Sequence, residues 1–236
     1  GFTELPVFET PDVTDIPTGE ELVQADPGPG ETIETNGLTT ARFVERWGGD
    51  PTELDVVDDD REALTAAVRS GLDSDLVVTT GGSSVGQRDL LPEVLEEMGE
   101  VHVHGVALKP GHPFGFAVVE DTPVLMLPGY PVATIINAVQ FLRPAVKRAM
   151  DAPVPPHPET DARLRRKIVS EPGVRTFARV RLEQEDGEYV ATPTRVSGSG
   201  VLSSVALADG WVVVDEAAEG IDADERVAVQ NWEASQ

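Results

Sequence analysis

"TTGGSSVGQRDLLPEVLEEMG" spans residues 79–99. An apolar run, Asp75-Leu76-Val77-Val78, leads into two threonines, two glycines and two serines, and a helical pattern begins at Asp89. A buried strand that ends in a loop almost bare of side chains has two readings. One is a tight turn. The other is a backbone that something must approach closely, and an anion is the usual visitor where a glycine loop opens a helix. A nearly continuous apolar strand fits a parallel sheet covered on both faces, so strands and helices should alternate around it.

The alternation extends in both directions. Upstream, a short strand is expected near Val13–Pro17, although Asp15 weakens it. Asn36 is a cap for a helix through about Trp47, with Leu38, Ala41, Phe43 and Val44 on or near its apolar face and Gly48-Gly49 ending it. Glu53–Val57 reads as a strand. Asp60 then caps a helix with Ala63, Leu64, Ala67 and Val68 inward, stopped by Gly71. Downstream, a helix is expected over Leu90–Met98, and strands near Val101–Leu108, Phe114–Val119 and Val124–Leu127. Pro131 starts the longest helix, with Val132, Ile135, Ile136, Val139 and Leu142 at helical spacing. Pro144 should kink or shift it.

The pattern changes after "DAPVPPHPET" (151–160), a proline-rich stretch. Beyond it no helix of useful length is expected. "FARVRLEQ" and "GEYVATPTRV" alternate around a turn at Asp186-Gly187, and "GWVVVDE" and "ERVAVQNW" read as two more strands. The organisation is therefore an α/β domain over 1–150, mostly a parallel sheet sandwiched by helices. A linker over 151–160 and a small all-β barrel over 161–236 follow.

Bulk properties narrow the function. The 236 residues carry 42 acidic and 18 basic side chains, a formal net charge of −24. That field repels nucleic acid and anionic membranes. No apolar run reaches membrane-spanning length, and no secretory signal pattern stands at the start. With no cysteine there is no disulfide framework, thiolate metal site or cysteine nucleophile. These features suit a cytoplasmic protein. Because the acids are spread along the chain, the charge density points to a high-salt cytoplasm, with an ordinary acidic mesophilic protein as the alternative. The chain starts at Gly1 rather than Met, as a fragment or a processed chain would.

In a parallel sheet, ligands bind outside the carboxyl ends of the strands. The loops there would carry Glu21, then Asp59 and Asp60, then Gly81, Gly82, Ser83, Ser84, Gly86 and Asp89. Carboxylates beside an anion cradle need a cation between them, and Mg²⁺, which takes oxygen ligands and bridges to phosphates, is the natural candidate. Arg88 and Lys109 are the nearby positive charges. "LKPGHPFGF" (108–116) and "LPGYPVATI" (127–135) each place Pro-Gly-x-Pro after a strand, in stiff turns that hold backbone groups at fixed positions. Each piece has a plainer reading as well. Glycine pairs make turns, acid triples cap helices and coat surfaces, and His102 and His104, two apart on a strand, are surface or packing residues without further ligands.

Taken together, "PTGEELV", "ETNG", "DDDREALTAAV", the block from Thr79 to Phe116 and "VLMLPGYPVATIINAVQFLRPAV" closely resemble the molybdopterin molybdenumtransferase family, of the MoeA and gephyrin E-domain type. "GVRTFARVRL" and "GSGVLSSVALADGWVVV" resemble its C-terminal barrel. The resemblance implies molybdenum cofactor synthesis: molybdate is inserted into adenylylated molybdopterin with release of AMP, using a divalent cation, in a homodimer. The charge density, separately, makes a halophilic archaeon the expected source. The resemblance carries family roles onto Glu21, Asp59 or Asp60, and Asp89 as acids, and onto Gly81, Gly82, Ser84 and Gly86 as the loop. Lys109 matches the first lysine of the family's "KPGKP". The second is His112 here. The family's "PGNPVS" reads Pro128-Gly129-Tyr130-Pro131-Val132-Ala133, and its "TGDEL" has Glu20. Two further domains precede this region in the family and help to complete its site, so a fragment or a half-length relative is expected. A non-catalytic molybdopterin-binding or scaffold module is the alternative that His112 and Tyr130 favour. The related adenylyltransferase is another, against which the β region speaks.

The charge balance makes stability depend on salt. The Debye length is ~10 Å at 0.1 M and ~30 Å at 0.01 M ionic strength, so carboxylates repel further at low salt. Thermal melts should show a higher melting point in molar KCl than at low salt. An equal or higher value at low salt would contradict the high-salt origin.

Overall fold

The computed structural model describes Glu4 and residues 7–82, 90–195 and 203–234. The chain opens with β1 (Asp12–Pro17) and two short strands, β2 (Leu22–Val23) and β3 (Thr32–Ile33), that pair with each other. Then come α1 (Asn36–Trp47), β4 (Asp50–Glu53), α2 (Arg61–Ser70), β5 (Leu76–Thr80) and α3 (Leu90–Met98). The run continues through β6 (Glu100–His104), β7 (Leu108–Lys109), β8 (Gly115–Val119) and β9 (Thr122–Leu127). It closes with α4 (Pro131–Asn137), a π turn over Ala138–Leu142 and α5 (Arg143–Ala149). The π turn stands immediately before Arg143-Pro144, where the missing proline N–H forbids a regular helical bond, so the expected shift at Pro144 takes this form.

The strand order is β4-β1-β5-β9-β8-β6, with β4, β1, β5 and β9 parallel and β8 and β6 added antiparallel. Both faces are covered, and the strand sequences alternate accordingly. Leu76 and Val78 of β5, with Leu125 and Leu127 of β9, pack with Val44, Trp47, Ile135 and Ile136 of α1 and α4. Val77, Val124 and Met126 pack on the opposite face with Leu64 and Val68 of α2 and Leu91, Val94 and Leu95 of α3.

Beyond residues 152–158 the chain forms β10 (Glu159–Leu164), β11 (Ile168–Val169), β12 (Arg175–Glu185), β13 (Glu188–Arg195) and the single turn of α6 (Ser203–Ala206). It ends with β14 (Gly210–Val214), β15 (Gly220–Ile221) and β16 (Arg226–Gln230). The order β13-β10-β16-β14-β12, with β12 pairing back to β13, closes a five-stranded barrel. Asp186 and Gly187 both take positive φ, 49° and 84°, as a two-residue hairpin turn demands. Leu164, Val180, Val212 and Val229 fill the barrel. Its outer wall shares the core of the α/β unit: Trp211 stacks on Trp232 at 4.3 Å and meets the edge of Phe177 at 5.3 Å, all within the cluster built on α1 and α4. Among the described residues no helix is long and apolar enough to cross a membrane.

Four local expectations are corrected. Leu38 is 51 % exposed, because α1 turns Asn36, Thr40, Ala41, Val44 and Trp47 inward instead. Asn36 is the first helical residue and Thr35 the cap position. The strand expected at Glu53–Val57 lies three residues earlier, at Asp50–Glu53. It is an edge strand paired only to β1, so Pro51 does no harm there. The strand expected over Val101–Leu108 breaks after His104, and β7 leaves the sheet to pair in parallel with β12 of the barrel.

Candidate functional site

The parallel register brings the ends of β1, β5 and β9 to one edge, where the backbones touch. The Thr18 N–H donates to the Thr80 carbonyl at 3.1 Å, and the Gly81 N–H to the Leu127 carbonyl at 3.0 Å. Gly81 has φ 117°, and a Cβ there would stand 2.2 Å from the Thr18 carbonyl oxygen. Gly82 has φ 60°, and its Cβ would stand 2.8 Å from Thr18 Oγ1. Only glycine fits both the torsion and the approach. The bare loop is thus first a packing solution, and the Gly81 amide is committed to the sheet. Ser83, Ser84, Gly86, Arg88 and Asp89 lie outside the described residues.

The acids divide. Glu21, exposed, folds back over Gly19, with Oε2 3.0 Å from where a Cβ on that glycine would stand. Asp59 accepts a hydrogen bond from the Glu20 amide. Partial burial, and then the negative charges of Glu21 and Glu20, push its pKa up. The structure therefore brings Glu21 and Asp59 together. Asp60 is engaged elsewhere, its Oδ1 accepting the Ala63 N–H at 3.0 Å as the cap of α2. Among the described residues no group of three His, Cys, Asp or Glu side chains could hold a metal ion.

A second acidic group escaped the sequence reading. Asp15 is 1 % exposed in the middle of β1, and among the described residues neither carboxylate oxygen has a side-chain partner. Buried Glu34 accepts the Gly37 N–H through Oε1 at 2.8 Å. Its Oε2 and Asp15 Oδ2 lie 3.3 and 3.5 Å from where a Cβ on Gly37 would stand. Burial chiefly, then Glu34 and Glu53, hold the Asp15 carboxyl well above its ordinary range. The signal available in the sequence was a lone acid inside an apolar strand. Asn36, next to this pair, donates from Nδ2 to the Gly129 carbonyl at 2.7 Å and ties α1 to the loop after β9.

The positive side of the edge is a cavity of about 390 Å³, lined in part by Lys109, His112, Pro128, Tyr130 and Ala133. Asn137 of α4 holds one wall, donating from Nδ2 to the carbonyls of Gly111 at 3.0 Å and Ala133 at 2.9 Å. Gly111, at φ 125°, leaves room for that amide: a Cβ would stand 2.7 Å from it. Exposed His112 donates from Nδ1 to the Val106 carbonyl at 2.6 Å, which fixes the ring. Tyr130 is 63 % exposed at the head of α4, and Pro131 is its first residue. Lys109 Nζ lies 2.8 Å from Glu171 Oε1, a carboxylate of the barrel unit, and holds it below its ordinary pKa. This cavity offers an ammonium, an imidazole and a phenol to an anionic guest, with the Glu21–Asp59 carboxylates on the same edge of the sheet.

A family model described as a probable molybdopterin binding domain matches residues 16–148, and one described as the MoeA C-terminal region (domain IV) matches residues 161–232. A relative from Methanocaldococcus jannaschii, named for molybdopterin biosynthesis, is 35 % identical over 225 residues, 91 % of this chain and 53 % of its own. Molybdopterin molybdenumtransferase 2 of Mycobacterium tuberculosis is 33 % identical over 205 residues, 81 % of this chain and 49 % of its own. Among solved structures, a molybdopterin biosynthesis MoeA protein from Pyrococcus horikosii superposes with a TM-score of 0.81 at 34 % identity, over 94 % of this chain and 55 % of that one. The chain spans about half the length of the curated relatives it matches.

The buried Asp15 carboxyl makes a testable contribution. Unfolded, it titrates near 3.8, and in the fold its pKa is raised. Its protonated form suits the fold, so stability falls as pH rises from about 4 towards the folded pKa and stays lower above it. Asp15→Asn, neutral and of the same shape, should melt like wild type at the acidic end and increasingly above it as pH rises to neutrality. A melting-point difference independent of pH would contradict the burial of an ionisable carboxyl there.

Proposed function

We propose that this chain, which belongs to the family of the probable molybdopterin binding domain, supplies the anion-binding half of a molybdopterin molybdenumtransferase. The reaction would insert molybdate into adenylylated molybdopterin and release AMP. The observation that carries this reading is the cavity lined by Lys109, His112 and Tyr130, a cationic position in a chain of net charge −24. Oxyanions approach such a protein only where a local arrangement offsets the field.

The residues divide the work. Lys109 makes the charge-assisted contact with the oxyanion, exchanging Glu171 for it. His112 and Tyr130 add donors at the positions where the resembling family carries lysine and asparagine. Pro128, Gly129 and Pro131 hold the loop rigid, and Gly81 and Gly82 let it pack closely; Ser83, Ser84 and Gly86, next in sequence, would add further anion donors. Glu21 and Asp59 would hold Mg²⁺, with Asp89 as the further expected acid, while Asp60 stays with the cap of α2. Two carboxylates plus substrate phosphates are an ordinary Mg²⁺ environment. Burial first, and then the negative charges of Glu21 and Glu20, raise Asp59, and a cation would offset that charge. When bound, that ion would offset charge on the departing phosphate. A cytoplasmic homodimer completes the reading. A non-catalytic molybdopterin-binding module is the second reading, favoured by His112 and Tyr130 and by the Glu171 contact that occupies Lys109.

Titration of inorganic molybdate by calorimetry tests the site. A charge-assisted contact contributes roughly 1.5–3 kcal/mol, so Lys109→Ala should weaken binding at least about tenfold. Arg148→Ala, on an exposed position of α5, should bind like wild type. Equal affinities for wild type and Lys109→Ala would move the anion position elsewhere.

A further inference from the structure

Half of the basic residues, nine of 18, fall in residues 161–236, where 14 acids face them; residues 1–160 hold nine against 28. Most barrel cations are spoken for. Arg163 pairs with Glu188 and Asp224, Arg165 with Glu183 and Glu185, Lys167 with Asp222, and Arg175 with Glu216. Arg181 differs. Among the described residues it makes no ion pair or side-chain hydrogen bond, because the two glutamates that follow it on β12 are both taken by Arg165.

Arg181 lines a cleft of about 360 Å³ together with Arg166, Thr192, Thr194, Ser203 and Ser204. No carboxylate lines it among the described residues, which is unusual for a surface this acidic. Arg166 is anchored, donating from Nη2 to the Pro193 carbonyl at 2.7 Å. Thr192 stands opposite Arg181 in the β12–β13 register. Ser204 is 7 % exposed, and among the described residues its hydroxyl has no hydrogen-bond partner. A buried hydroxyl left without a partner costs stability, and Ser204 is one of the residues that line the cleft. Pro193 and Leu207, the latter 61 % exposed, give the cleft an apolar wall.

We propose that this barrel cleft is a second anion site, which takes a phosphate monoester with an apolar or planar body. The phosphate would meet Arg181, Arg166 and the Ser204 hydroxyl, and the body would lie against Pro193 and Leu207. Two arginines with flanking hydroxyls suit a phosphate better than a lone ammonium does. The site is separate from the first cavity. Lys109 pairs with Thr176 of β12, and Arg181 lies five residues further along, roughly 17 Å at about 3.3 Å per residue.

Phenyl phosphate and inorganic phosphate, titrated by calorimetry into the full chain, test this. Phenyl phosphate should bind more tightly than inorganic phosphate, and Leu207→Ser should narrow that gap. Arg181→Ala should weaken phenyl phosphate at least about tenfold, and Ser204→Ala should weaken it too. Lys109→Ala should leave it unchanged, even where it abolishes molybdate binding. Melting curves confirm that the variants fold, and Arg181, being exposed, is a safe position for substitution. Absence of phenyl phosphate binding, equal affinity in Arg181→Ala, or a loss in Lys109→Ala alone would overturn the proposal. The last result would assign the ligand to the first cavity and leave the molybdate reading intact.

Discussion

The contact on which the site depends is the meeting of backbone with backbone at the carboxyl edge of the sheet. Gly81 stands where any Cβ would fall 2.2 Å from the Thr18 carbonyl oxygen, and a Cβ on Gly129 would reach 3.4 Å from the Gly81 Cα. Three strand ends can therefore converge with almost no side chain between them. The convergence sets the Thr18–Glu21 turn beside Asp59 and the Pro128–Tyr130 turn beside the Lys109 loop. Asn36 and Asn137 then fasten those turns from the helices, through single amide groups aimed at loop carbonyls. A ligand entering at this edge meets a preassembled frame, the arrangement that open α/β sheets commonly present to ligands.

Charge gives the frame its polarity. A chain with 42 acids places its few cations with care. Many are matched to carboxylates across the surface, where each exposed pair is worth little. Arg181 differs, having no ion pair among the described residues, and so does Lys109, whose partner Glu171 belongs to the other structural unit. The β7–β12 pairing joins the two units through the very residue that carries the positive charge of the first cavity. Any shift of the barrel against the sheet is thereby felt at Lys109.

Much of this was legible in the sequence, for identifiable reasons. The helices with local signals came through: Asp60 caps α2, the spacing of Leu64 and Val68 turns its face inward, and the apolar run of β5 requires cover on both sides. The convergence of Glu21 with Asp59 followed from strand order alone. What failed depended on partners distant in sequence. β4 hides behind Pro51 and two acids because an edge strand needs little intrinsic propensity. β7 exists only because β12 lies beside it. Asn36 has the chemistry of a cap and spends it on Gly129, 93 residues away. Asp15 looked like a flaw in a strand, whereas it is a buried carboxyl facing Glu34. At the start of the glycine loop, Gly81 and Gly82 serve close packing, and the Gly81 amide serves the sheet.

The central claim is that an oxyanion binds at the carboxyl edge of the sheet, between the Lys109–His112 turn and the Pro128–Tyr130 turn. Anomalous diffraction at the molybdenum edge, from crystals of the chain equilibrated with molybdate, tests it most directly. The account predicts a molybdenum peak inside the cavity lined by Lys109, His112 and Tyr130, with the Lys109 ammonium turned from Glu171 towards it. A peak confined to the barrel or to the outer helices, with that cavity empty, would contradict it.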